Sequence, residues 1–79
     1  MAINEKRARA IADNMIAESG KNLTITAFDS IDEIDGSDGL YFFWVQDLDT
    51  GKGYYPGELF KAIRKSDGEL VDFLLPTPL

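Results

Sequence analysis

The sequence has no cysteine and no histidine among its 79 residues. Without cysteine there is no disulfide framework, no thiol nucleophile and no thiolate-bound metal. Small secreted domains usually carry such staples, so their absence favours the cytoplasm. Without histidine the commonest general base and the commonest zinc ligand are missing. The start, Met1-Ala2-Ile3-Asn4-Glu5-Lys6, lacks the apolar core of a secretion signal. No apolar run approaches the ~20 residues of a membrane span.

A further absence is local. Residues 22–50 hold seven acids (Asp29, Asp32, Glu33, Asp35, Asp38, Asp47, Asp49) and no base, a net charge of −7. Residues 1–21 hold four bases and three acids, and residues 51–79 hold four of each. The net charge of the whole chain, −6, therefore belongs to one middle segment. Such a balance argues against direct nucleic-acid binding and against an anionic membrane, both of which call for excess Lys and Arg.

What is present suits one folded domain over residues 1–79. Hydrophobic residues make up 44% and aromatics 11%, too much for a disordered chain. Ala8, Ile11, Ala12, Met15, Ile16 and Ser19 recur at helical spacing, which predicts an amphipathic helix over 5–19. Asn4 suits its N-cap and Gly20 its C′ position. Arg9 is spaced to pair with Asp13 on the wet face.

Residues 22–34 alternate and are rich in β-branched side chains, which predicts a strand. The cluster Asp35-Gly36-Ser37-Asp38-Gly39 is a turn. Residues 40–48, Leu-Tyr-Phe-Phe-Trp-Val-Gln-Asp-Leu, are apolar on both faces, as in a central strand. Asp49-Thr50-Gly51-Lys52-Gly53 makes a hairpin turn. Residues 58–65 suit a short helix by propensity, but the turn at 66–69 and the strand at 70–75 favour a strand paired in a hairpin. Pro76 ends the last strand. The expectation is an α+β domain, with the N-terminal helix packed on one face of a four-stranded antiparallel sheet. One helix covers one face. Either Tyr41, Phe43 and Val45 or Phe42 and Trp44 then lie on the open face, and an exposed apolar patch marks an interface.

The motifs do not point to catalysis. Asp29, Asp32, Asp35 and Asp38 recur every third residue, but aligning either nearby glycine to a calcium loop puts isoleucine at its first ligand position. Asp47-Leu48-Asp49-Thr50-Gly51 has glycine where the third acid belongs. The serines lack a histidine base, and Gly51-Lys52-Gly53 lacks phosphate-loop spacing. Acids in turns stay solvated and ionised, whereas a catalytic carboxyl needs burial or a like-charged neighbour. No enzyme activity, cofactor or metal site is expected.

The remaining reading is a docking surface for a protein with a basic face. Asp29, Asp32, Glu33, Asp35, Asp38, Asp47 and Asp49 would steer association, with Tyr41, Trp44, Tyr54 and Tyr55 as anchors. A solvated acidic rim is the plain alternative. The order of elements, the strand Gly39-Leu40-Tyr41-Phe42-Phe43-Trp44, the turn Asp49-Thr50-Gly51 and the hairpin Ile63-Arg64-Lys65-Ser66-Asp67-Gly68-Glu69-Leu70 together resemble the YrhB-like bacterial toxin-immunity proteins (immunity family 35). That resemblance implies a small cytoplasmic protein that neutralises a cognate toxin by contact. Two other readings stay open, the first on the same charge pattern and the second on the open sheet. One is a nucleic-acid-binding defence complex, inhibited by a phage-encoded DNA mimic. The other is a second copy of the chain, giving a homodimer through open sheet faces or edges.

Overall fold

The computed structural model describes residues 2–32 and 39–73. Glu33, Asp35 and Asp38 of the acidic segment, with residues 74–79, lie outside them. One N-terminal helix packs on an antiparallel sheet, the expected α+β architecture. Among the described residues no helix is long and apolar enough to cross a membrane.

The helix α1 spans Glu5–Ser19. Its start is set by Asn4, whose side-chain oxygen accepts from the Arg7 amide at 2.9 Å. Its end is set by Gly20, at φ 71°, a left-handed conformation that glycine adopts without strain. Ala8 and Ala12 are fully buried, and Ile11, Met15 and Ile16 flank them. Arg9 pairs with Glu5 at 3.2 Å, and not with Asp13 as the spacing suggested. An acid placed one turn N-terminal to a base is the better orientation in the helix dipole. The Arg9 guanidinium also lies 4.5 Å from the centre of the Phe28 ring.

Two long strands form the body of the sheet: β1, Leu23–Ile31, and β2, Leu40–Asp47. They pair from Leu23↔Asp47 to Ile31↔Leu40, with a bulge between Ile25 and Ala27. Three shorter strands follow: β3, Gly53–Tyr54; β4, Ala62–Arg64; and β5, Leu70–Val71. The order is β1-β2-β4-β5, with β3 also on β2. Both β3 and β4 use the same edge of β2, β3 opposite Val45–Gln46 and β4 opposite Leu40–Tyr41.

The expected strand over 58–65 is therefore corrected. Only Ala62–Arg64 is strand, and the residues before it form an irregular excursion. Tyr55-Pro56-Gly57-Glu58 is a tight turn closed by Glu58 N–H donating to Tyr55 O at 3.1 Å, with Gly57 at φ 91°. Proline then glycine at the central positions is the type II pattern. The excursion drops Leu59 and Phe60 onto the core, where Phe60 stacks on Phe43 at 5.9 Å. A continuous strand would hold this segment flat in the sheet and leave that part of the helix side uncovered.

The helix covers the Tyr41, Phe43 and Val45 face. Phe43, Val45 and Ile63 form the core with Ala8 and Ala12. The opposite face carries Phe42 and Trp44, but it is not simply open. Phe42 is only 6% exposed. Phe73 stacks on its ring at 5.2 Å and Trp44 meets it edge-on at 5.6 Å. Aromatic pairs of this geometry add to area burial, so the chain partly covers its own second face.

Candidate functional site

The hairpin β1–β2 distributes the acidic segment rather than gathering it. Asp29 pairs with Phe42 and so shares the far face with Trp44. Asp32 lies just past the Ile31↔Leu40 end, whereas Asp47 pairs with Leu23 at the other. At ~3.4 Å per residue the two ends stand about 25 Å apart.

The end holding Asp32 is tied shut. Lys65 Nζ donates to the Asp32 carboxylate at 2.8 Å and lies 5.0 Å from the Tyr41 ring centre. That hydrogen bond and the lysine charge hold the Asp32 pKa below its ordinary value. Tyr41 lies on the helix side, its ring 5.9 Å from Phe28. It belongs to the core packing more than to an outer surface.

At the other end Asp47 shapes the turn. Its carboxylate accepts from the Asp49 amide at 2.8 Å and the Thr50 amide at 3.2 Å. Its carbonyl accepts from Gly51 N–H at 2.7 Å. This is the hydrogen bonding that makes Asp a turn residue. Asp49 is exposed, and Asn22 Nδ2 reaches its carboxylate at 3.4 Å.

This end also carries a concavity of about 350 Å³, lined by Thr26, Trp44, Val45, Gln46, Gly53, Tyr54 and Tyr55. Three of the four aromatics named from the sequence line it, but only Trp44 and Tyr55 face outward; Tyr54, opposite Val45, turns to the helix side and packs on the core. The strand pairing explains it. Trp44 and Gln46 share the far face of β2, and Gly53, opposite Gln46, leaves the floor open. The Pro56-Gly57 turn then presents Tyr55, whose amide donates to Glu58 Oε1 at 2.6 Å. Tyr55 is 48% exposed. Lys52 Nζ lies 4.9 Å from the Tyr54 ring centre. Gln46 Nε2 donates to Gly51 O at 3.2 Å, which fixes the amide against the turn. The bulge at Thr26 brings a hydroxyl residue to the rim. Sequence reasoning missed Thr26, Gln46 and Gly53. The Asp49–Gly53 turn was read from the sequence; the second turn, at Pro56-Gly57, was not, although proline followed by glycine is its signal.

The chemistry of this surface is uncharged and aromatic. Among the described residues no polar or charged side chain is buried, and no buried side-chain nitrogen or oxygen lacks a partner. The clear pKa shifts are downward. Besides Asp32, Asp67 is lowered from 3.8 to about 2, first by the side-chain hydrogen bonding from Arg64 and next by the Glu69 amide. A general acid needs the opposite shift. No group of three or more metal-ligating side chains occurs among the described residues. Comparison with protein-family models, with curated proteins and with solved structures found no match.

Proposed function

We propose that this chain is a non-enzymatic cytoplasmic binding protein that neutralises a protein partner by contact. The observation that carries the reading is the aromatic concavity at the β2–β3 end, where Trp44 and Tyr55 meet uncharged polar groups beside an acidic turn. Tryptophan and tyrosine are the residue types that dominate binding energy at protein interfaces. Asp49 on the turn and Asp29 on the same face as Trp44 add the negative field that speeds encounter with a basic partner. The resemblance of its order of elements to that of the YrhB-like immunity proteins makes a toxin the favoured partner. A DNA-mimicking inhibitor draws less support, because Asp47 engages its carboxylate with the amides of its own turn.

Immobilised protein tests the reading. The wild-type chain should retain a basic protein from a lysate of its own source. Trp44→Ala and Tyr55→Ala should each lose it, by roughly tenfold to a hundredfold in affinity, with the circular dichroism unchanged. Equal retention by all three baits would remove the concavity from the argument.

A further inference from the structure

We infer that the outer edge of β1 pairs antiparallel with the same strand of a second copy, across a two-fold axis beside Thr26 and Ala27. This goes beyond the partner-binding reading and rests on different groups. β1 is the terminal strand of the sheet, nine residues long, and no strand lies on its outer side among the described residues. An edge of that length presents a row of unpaired backbone donors and acceptors. Leu23–Ile31 contains no proline, lysine or arginine, the usual guards of an edge; its one charge is Asp29.

The bulge selects a register. Leu23, Ile25, Phe28 and Ser30 pair with the helix-side residues of β2, and Thr24, Ala27, Asp29 and Ile31 with the far-side ones. Across a two-fold axis each residue must meet one from its own face. Pairing Leu23 with Ser30, Thr24 with Asp29 and Ile25 with Phe28 satisfies this, and the two bulges fall at the axis. A register one residue away sets helix-side residues against far-side ones and mismatches both faces, and one two residues away keeps the faces but matches fewer pairs within the strand.

The ends of the strand say what the occupant is. Continuing the register brings Lys21 of one copy beside Asp32 of the other, twice by symmetry. Lys21 has no carboxylate within ion-pair distance among the described residues. The Asp32 side chain remains 98% exposed although Lys65 reaches it, so it has room for a second cation. Within one chain these residues stand beyond opposite ends of β1, roughly 35 Å apart at ~3.4 Å per residue, and cannot meet. The pattern of base before the strand and acid after it is self-complementary only for antiparallel copies.

A charge swap tests the pairing. Sedimentation equilibrium from micromolar to millimolar concentration should show a reversible dimer. Lys21→Glu and Asp32→Lys should each raise its dissociation constant about tenfold, since each disrupts two symmetry-related pairs. The double variant should recover most of the wild-type affinity. Recovery cannot arise within one chain, because the contact of Asp32 with Lys65 stays lost in the double variant. Amide hydrogen exchange over residues 23–31 should slow as dimer forms. A wild-type chain that stays monomeric throughout overturns the proposal and leaves the edge to another protein's strand. A dimer indifferent to both single changes, or a double variant as weak as Asp32→Lys, also overturns it.

Discussion

Gly39 and Asp32 meet backbone to backbone at the mouth of the β1–β2 connection: a Cβ on Gly39 would stand 2.0 Å from the Asp32 carbonyl oxygen. Gly39 O also accepts from Lys65 N–H at 2.8 Å, and Lys65 Nζ returns to the Asp32 carboxylate. Three residues from three segments are thereby fastened at one point. Gly39→Ala forces the backbones apart and is expected to cost about 2 kcal/mol or more. Gly53 is the control, because a Cβ there meets nothing closer than 3.9 Å. Gly53→Ala should stay within about 0.5 kcal/mol of wild type. Urea midpoints of the two variants decide the matter; equal midpoints would show that the close approach at Gly39 is not a constraint.

Phe73 is the described cover of Phe42 on the far face. Phe73→Ala removes the stacked ring and uncovers a buried side chain. We expect a loss of about 2 kcal/mol, short of the 3–5 typical of a fully buried phenylalanine because Phe73 is itself part-exposed. Trp44, edge-on to Phe42, provides the readout: its emission should shift to the red in the folded variant. An unshifted emission with unchanged stability would mean that Phe42 is held dry by other residues.

Acid should loosen the β4–β5 turn. Asp67 has a folded pKa of about 2 against an ordinary 3.8, held down chiefly by hydrogen bonding from Arg64. A depressed carboxylate pKa contributes stability that is complete above the unfolded value and fades as pH falls through the folded one. The stability gap between wild type and Asp67→Asn should therefore be constant above about pH 4 and close between 3.8 and about 2. Denaturant midpoints across that range measure it. A gap that persists at pH 2 would assign the effect to something other than ionisation of Asp67.

The two acids of the β2–β3 turn have different work. Asp47 accepts two backbone amides, and Asp49 accepts one long side-chain contact. Asp47→Ala should cost about 1 kcal/mol of stability, as lost caps do. Asp49→Ala should cost less than about 0.5 kcal/mol, as an exposed contact does. Partner affinity should fall with Asp49→Ala in a salt-dependent way. Thermal melts and binding at two ionic strengths separate the roles, and an Asp49→Ala variant that melts lower than Asp47→Ala would reverse them.

Much of this fold was legible because its signals are local. The helix is written in the spacing of Ala8, Ile11, Ala12, Met15 and Ile16 between Asn4 and Gly20. The run from Leu40 to Asp47 could only be a central strand. The segment 58–65 misled, because Phe60 leaves the sheet to fill the core beside Phe43, and nothing local encodes that need. β3 is two residues long and leaves no periodicity to read. The site divides the same way. Trp44 and Tyr55 stand out as aromatics near a turn. That Tyr41 and Tyr54 instead lie on the helix side depends on which set of β2 residues α1 covers, a long-range choice. The bulge at Thr26, which shapes both the concavity and the β1 edge, depends on pairing with β2 and has no mark in the sequence.

Every strand but β5 hydrogen-bonds to β2, with β1 along one edge and β3 and β4 end to end along the other. β2 is thus the keystone of the domain. Neither half of the sheet has a framework of its own to fall back on. Opening β2 at Leu40 frees β4 and with it β5; opening it at Val45 frees β3 and the aromatic rim. Such a layout makes β2 the costliest strand to open, while β5, held by β4 alone, is the first that can be shed. Loss of β2 therefore takes β1, β3 and β4 with it, whereas loss of β5 leaves the rest of the sheet paired.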